Sequence, residues 1–247
     1  MFLMIENIWL FLALLPVVSF LYSAVGHGGA SGYLALMALF AFPHHIMKPT
    51  ALLLNIVVAG IAFYFYYKQG YFRKKLFLYF AMASIPLAYL GGSIHIDASI
   101  YKKILALLLV FAILKMLGFF GKDTAKRNRA RILPALLIGS LIGFFSGLIG
   151  IGGGIILTPV ILLLHWGTMK EAAAVSALFI WVNSVAAMAG HLTQNVTFNP
   201  ALIYWVLVAI TGGLAGGYYG SKIGSNTTLK YVLAFVLIIA CVKLVFV

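Results

Sequence analysis

Two long apolar runs in this chain are each cut by a tight cluster of glycines, about 124 residues apart. The first reads Gly26-His27-Gly28-Gly29-Ala30-Ser31-Gly32, the second Gly150-Ile151-Gly152-Gly153-Gly154. Glycine weakens a helix interior and frees the backbone for φ > 0, so a helix is expected to stop at each cluster. In lipid a broken helix leaves N–H and C=O groups without water to satisfy them. Such breaks persist where the backbone lines a polar cavity or meets a ligand. Matched breaks in two halves of one chain point to a site between the halves.

The lipid premise follows from composition. The chain is 64% hydrophobic and 9% charged, against about a quarter charged in soluble domains. It reads as an all-α integral membrane protein, with no polar stretch long enough to fold a separate soluble domain. Glu6 is the only charge before the first apolar run, so the basic n-region of a cleavable signal peptide is missing. The single cysteine, Cys241, rules out an intramolecular disulfide and a cysteine-based metal site. No cofactor is expected.

Lys and Arg number 17 against four Asp and Glu. Ten of the 17 lie in two places: Lys68, Arg73, Lys74 and Lys75, and Lys115, Lys122, Lys126, Arg127, Arg129 and Arg131. Clustered bases between apolar segments mark cytoplasmic loops and attract anionic lipid headgroups. No basic helix or aromatic–basic alternation accompanies them, which speaks against a nucleic-acid surface.

Apolar segments run approximately over 8–25, 30–42, 49–68, 75–95, 100–120, 132–149, 155–165, 172–190, 200–222 and 228–246. These are two sets of five. In each set the second member falls short of the ~20 residues a crossing needs. At an offset of 128, Asn55 falls on Asn183, Gly92-Ser93 on Gly220-Ser221, Lys102 on Lys230 and Lys115 on Lys243; the glycine breaks align at 124. The expected layout is a first repeat over 1–121, a basic cytoplasmic linker over 122–131 and a second repeat over 132–247. Each repeat would be a glycine-broken re-entrant hairpin followed by three transmembrane helices.

The loop around 68–75 is basic, while its counterpart around 191–199 carries no Lys or Arg, which suggests opposite faces and hence inverted repeats. A parallel duplication is the alternative. Ser84/Ala88/Gly92, Gly139/Gly143/Gly147 and Gly212/Gly216/Gly220 recur at every fourth position and read as helix-packing stripes. Lys115 and Lys243 read as snorkelling to headgroups. Trp181 and Trp205 read as core packing.

A helix N-terminus presents unpaired N–H groups and partial positive charge. The two short segments begin directly after the glycine clusters. If the repeats are inverted, their ends face each other and form an anion cradle without a buried Lys or Arg. The competing reading is a pair of kinks that merely allow close packing. Candidate binding residues are Gly26, His27, Gly28, Gly29, Ser31, Gly150, Gly152, Gly153 and Gly154, joined by Asn55, Asn183 and Ser176 on the following helices. Ser176 shares a face with Asn183, but could equally bond back to its own helix. His27 is the one ionisable residue expected near mid-membrane, either as a donor or titrating group or as a satisfied structural histidine. The other five histidines sit near segment ends, where solvation is expected, and show no metal spacing. Glu6, Asp97, Asp123 and Glu171 also fall near segment ends, which disfavours cation transport.

The stretch Gly147-Leu148-Ile149-Gly150-Ile151-Gly152-Gly153-Gly154-Ile155-Ile156-Leu157-Thr158-Pro159, with Glu171-Ala172-Ala173-Ala174-Val175-Ser176-Ala177-Leu178-Phe179, resembles the signature of the sulfite exporter TauE/SafE family. The resemblance covers the chain through its duplicated layout and is strongest over 143–190. It implies a multi-pass carrier of the prokaryotic inner membrane for sulfite, organosulfonates or related sulfur-containing anions. The first repeat departs from the pattern with His27 among its glycines and Ala30 in place of one, which bears on substrate choice. The expectation is therefore a secondary transporter, exporter or facilitator, and not an enzyme. An anion channel or an uptake carrier for another oxyanion such as thiosulfate is the alternative. A membrane enzyme would need more than a His27–Ser31 pair. Partners expected are the anion and membrane lipids; a homo-oligomer is compatible with the sequence.

Overall fold

A computed structural model describes residues 8–40, 42–94, 128–194 and 198–229, together with 231, 232, 234, 235 and 238. The fifth apolar segment, most of the tenth and most of the linker lie outside the described residues. So do Glu6, His95, Asp97, Lys102, Lys115, Asp123, Lys230, Cys241 and Lys243. The described residues are helical, with no strand among them: α1 Ile8–Ala24, α2 Ala30–Leu39, α3 His44–Lys68, α4 Lys74–Ser93, α5 Ile132–Ile149, α6 Gly154–Leu163, α7 Met169–His191 and α8 Leu202–Tyr218. A π turn, Tyr219–Ile223, extends α8.

Five of these elements are long and apolar enough to cross a membrane: α3, α4, α5, α7 and α8 with its π turn. Their outward faces are those of helices in lipid. Leu133, Leu137 and Leu141, one turn apart on α5, are each about two-thirds exposed, whereas Gly139 and Gly143 pack inward. α2 and α6 have ten residues each, a rise of ~15 Å, about half the hydrocarbon thickness.

The glycine stripes are helix contacts, as the sequence indicates. Gly139, Gly143 and Gly147 of α5 sit on the backbone carbonyls of Phe80, Ser84 and Ala88 of α4. Gly212, Gly216 and Gly220 sit in the same way on Pro16, Phe20 and Ala24 of α1. No side chain fits between backbones this close, so glycine is required. The register also sets direction: α4 runs parallel to α5, and α1 parallel to α8.

Gly213 meets Val58, and Gly217 meets Ala62, so α8 also runs with α3. Arg73 pairs with Glu171 near one end of α4 and α7, and Gly92 meets Ala187 near the other, so those two are parallel. α3 and α7 are antiparallel: Asn55 meets Ser184, Gly60 meets Trp181 and Tyr66 clusters with Ala173. Thus α1, α3 and α8 share one direction, and α4, α5 and α7 the other. Helix α2 folds back along α1, with Tyr22 on Ser31, Ser19 on Tyr33 and Phe11 on Phe40.

Three details differ from the sequence reading. α3 starts at His44 and runs through Pro49. The hydrogen bond Pro49 cannot make would reach His45, an exposed residue at the helix end. Trp181 is 39% exposed and faces outward, whereas Trp205 packs on Phe11 and Phe42 as expected. His191, expected to be solvated, is only 9% exposed.

Candidate functional site

Each break is a short left-handed excursion. Gly26 and Gly29 take φ of 75° and 98°, and Gly150, Gly152 and Gly153 take 83°, 72° and 78°, values that side chains with a Cβ resist. The Gly150 and Ile151 N–H groups both return to the Ser146 carbonyl and terminate α5. The chain then re-enters a helix at Ala30 and at Gly154.

Both breaks converge on Asn55, midway along α3. Its Oδ1 accepts the Ala30 N–H at 3.1 Å, and its Nδ2 donates to Ser184 Oγ at 2.7 Å and toward the Ile151 carbonyl at 3.5 Å. Gly28 lies against the carboxamide oxygen and Gly152 against its nitrogen; a methyl on Gly152 would come within 2.5 Å of Nδ2. One buried side chain therefore touches both breaks.

His27 is 1% exposed, and its Nδ1 lies 3.0 Å from the Val25 carbonyl. A carbonyl only accepts, so Nδ1 carries the proton and the neutral ring presents a bare lone pair at Nε2. That nitrogen closes no well-formed hydrogen bond, although the ring interacts with the Gly154 backbone. The ring edge faces Gly154, the first residue of α6. A narrow cleft lies between Tyr22, His27, Gly28, Gly29, Ala30, Asn55, Ile151, Ile155 and Ile180, with no room for a water molecule.

Among the described residues no protein acceptor meets the N–H groups of Ser31 and Gly32 on α2, or of Gly154 and Ile155 on α6. These are orphan donors at helix starts, backed by the dipoles of α2 and α6. The cleft contains no Asp, Glu, Lys or Arg. Of the four unpartnered donors, that of Ile155 belongs to a residue lining the cleft, while Ser31, Gly32 and Gly154 stand beside it at the same helix starts.

Not every expected residue joins this cleft. Ser31 is held by the Tyr22 hydroxyl at 2.7 Å. Ser176 accepts from Thr158 at 2.7 Å and ties α6 to α7. Asn183, the sequence counterpart of Asn55, donates to Phe179 of its own helix at 2.7 Å, leaving its buried Oδ1 unpartnered. Gly26 packs on the Ala173 carbonyl and Gly150 on the Lys48 side chain, so both shape the breaks from outside the cleft.

Three residues here were not singled out from sequence: Ser184, Tyr22 and Ser146. Ser184 directly follows Asn183, and one residue's rotation decides which of the two meets Asn55. Ser146 stands one position before the last glycine of the α5 stripe.

Paired glycine-broken helices inside a lipid-facing helical body define a polytopic membrane protein of the transporter class. The sulfite exporter TauE/SafE family model matches residues 10–244, and the chain belongs to that family of membrane transporters. It is 35% identical to the probable membrane transporter protein y4hK of Sinorhizobium fredii, over 92% of this chain and 94% of that one. It is 27% identical to a probable membrane transporter protein of Methanocaldococcus jannaschii, over 90% and 88% of the two chains. A third relative, the probable membrane transporter protein YjnA of Bacillus subtilis, is 24% identical over 92% and 96%. No solved structure matches the chain.

Proposed function

We propose that this transporter carries small sulfur-containing anions such as sulfite or organosulfonates, bound between the N-termini of α2 and α6. The observation that carries the reading is the convergence of both glycine breaks on Asn55, with orphan N–H groups at the helix start that follows each. Anions are stabilised at such ends by direct donation and by the helix dipole. The family's name, sulfite exporter, agrees with this chemistry.

The two halves act as inverted repeats related by a twofold axis lying in the membrane plane. Support comes from direction: α1, α3 and α4 run opposite to their sequence counterparts α5, α7 and α8. The pairing is also reciprocal, α4 on α5 and α8 on α1. Transport proceeds by rocking of one half against the other. The narrowness of the cleft favours a carrier over a standing channel, since loading requires the helix ends to part. The protein sits as a multi-pass component of a prokaryotic inner membrane, with the Lys68–Lys75 loop on the cytoplasmic side.

Purified protein in liposomes tests the reading with sulfite, thiosulfate, taurine and chloride. Saturable flux of sulfur oxyanions with counter-transport is expected. Flux of none of them, under any imposed gradient, would remove it.

A further inference from the structure

The two helix starts are not equivalent. At α2 the first N–H is already taken by Asn55. At α6 the corresponding asparagine, Asn183, turns back to Phe179 and caps nothing. The residue before α6, Gly153, is instead approached by Ser146. A methyl placed on Gly153, the residue before α6, would lie 2.6 Å from Ile142 Cγ2, 3.1 Å from Phe179 Cε1 and 3.3 Å from Ser146 Cβ.

Ser146 is 2% exposed and its Oγ has no hydrogen-bond partner; Asn183 is fully buried and its Oδ1 has none. Each stands one turn beyond a residue that flanks Gly153, Ile142 on α5 and Phe179 on α7, and these helices run parallel. A buried hydroxyl left unpaired is costly, and packing does not explain why Ser146, beside the residue that precedes α6, leaves its Oγ unpaired while Asn183 leaves its Oδ1 so.

We propose that Ser146 is a substrate-binding hydroxyl, and that the start of α6 is the half-site where the anion docks first. The inference rests on the anion reading above. The hydroxyl donates to an anion oxygen while the Gly154 and Ile155 N–H groups hold the others. Asn183 follows by turning its amide toward the anion. At α2 the carboxamide of Asn55 holds the equivalent place until the anion displaces it.

Ser146→Ala separates binding from structure, with Ser184→Ala as the contrast. The Ser184 hydroxyl is already bonded to Asn55, so its loss lowers the thermal midpoint of the empty protein. The Ser146 hydroxyl is unpaired, so Ser146→Ala leaves that midpoint unchanged or higher. Its KM for sulfite in proteoliposomes rises by roughly tenfold or more, the scale of one hydrogen bond to a charged group. An unchanged KM, or a lowered midpoint, overturns the assignment. If the wild-type protein moves no sulfite or other sulfur oxyanion, the anion reading itself fails and this inference falls with it.

Discussion

The side-chain oxygen of Asn55 accepts the Ala30 N–H at 3.1 Å, so a neutral carboxamide caps α2 where an oxyanion oxygen would bind. Asn55→Asp puts a tethered negative charge at that position and removes the donor that holds Ser184. Apparent affinity for sulfite should fall by at least about tenfold through competition at the helix end. Asn55→Ala removes the cap and the bond to Ser184, at a cost of about 1–3 kcal/mol. Flux kinetics and thermal unfolding in detergent, measured on both variants, distinguish the two effects.

The close approach of Gly28 and Gly152 to Asn55 leaves no room for a methyl group. A Cβ on Gly152 would meet Asn55 Nδ2, Ser184 Oγ and Ile180 Cγ2 at 2.5, 2.7 and 2.8 Å. Gly152→Ala should therefore reduce flux severely while the protein still reaches the membrane. Gly70, with a positive φ but open space around it, is the matched control. Gly70→Ala should transport normally, at a stability cost of about 1 kcal/mol. Equal loss in both would contradict the placement of the cleft.

His27 gives the expected pH dependence. With Nδ1 donating to Val25, Nε2 repels an anion oxygen unless the ring takes up a second proton. Binding of the anion and of that proton are then positively linked. Transport of thiosulfate, ionised throughout the range, should weaken as pH rises, because the protonated ring becomes scarcer. Tyr22 is the other titratable group lining the cleft, and its phenol stays neutral at these pH values. His27→Gln supplies a fixed amide donor and should flatten the profile. An identical pH profile in wild type and variant would exclude His27 from the site.

Backbone contact at the glycine stripes predicts instability from side chains there. Gly143→Val on α5 would press its new methyls on the Ser84 backbone, and Gly216→Val on the Phe20 backbone. Each should cost about 1–3 kcal/mol or more, as overpacking does. Lower thermal midpoints for both, with Leu137→Ala on the exposed face nearly neutral, would support these contacts. Unaltered midpoints in the glycine variants would argue against them.

Much of this arrangement was legible before any coordinates. The glycine breaks, the short helices after them and the packing stripes all follow from residue type and spacing, because glycine in lipid has few uses. Asn55 stood out because an amide amid apolar residues needs a partner. The unequal use of Asn55 and Asn183 was not legible. A matched pair at an offset of 128 suggests matched roles, yet rotation by one residue puts Ser184, not Asn183, on Asn55. Nor did Ser176 announce its bond to Thr158, since both sit on apolar helices whose relative rotation only packing decides. The outward face of Trp181 is hidden in the sequence for a related reason: in lipid an outward-facing aromatic is as comfortable as a buried one.

Amide resonances of Ser31, Gly32, Gly154 and Ile155 offer the most direct test, followed by solid-state NMR on labelled protein in lipid while sulfite is titrated. All four should shift together and saturate, with Gly154 and Ile155 moving at lower sulfite. If sulfite is transported but these four amides stay where they were, the anion does not bind between the two helix starts.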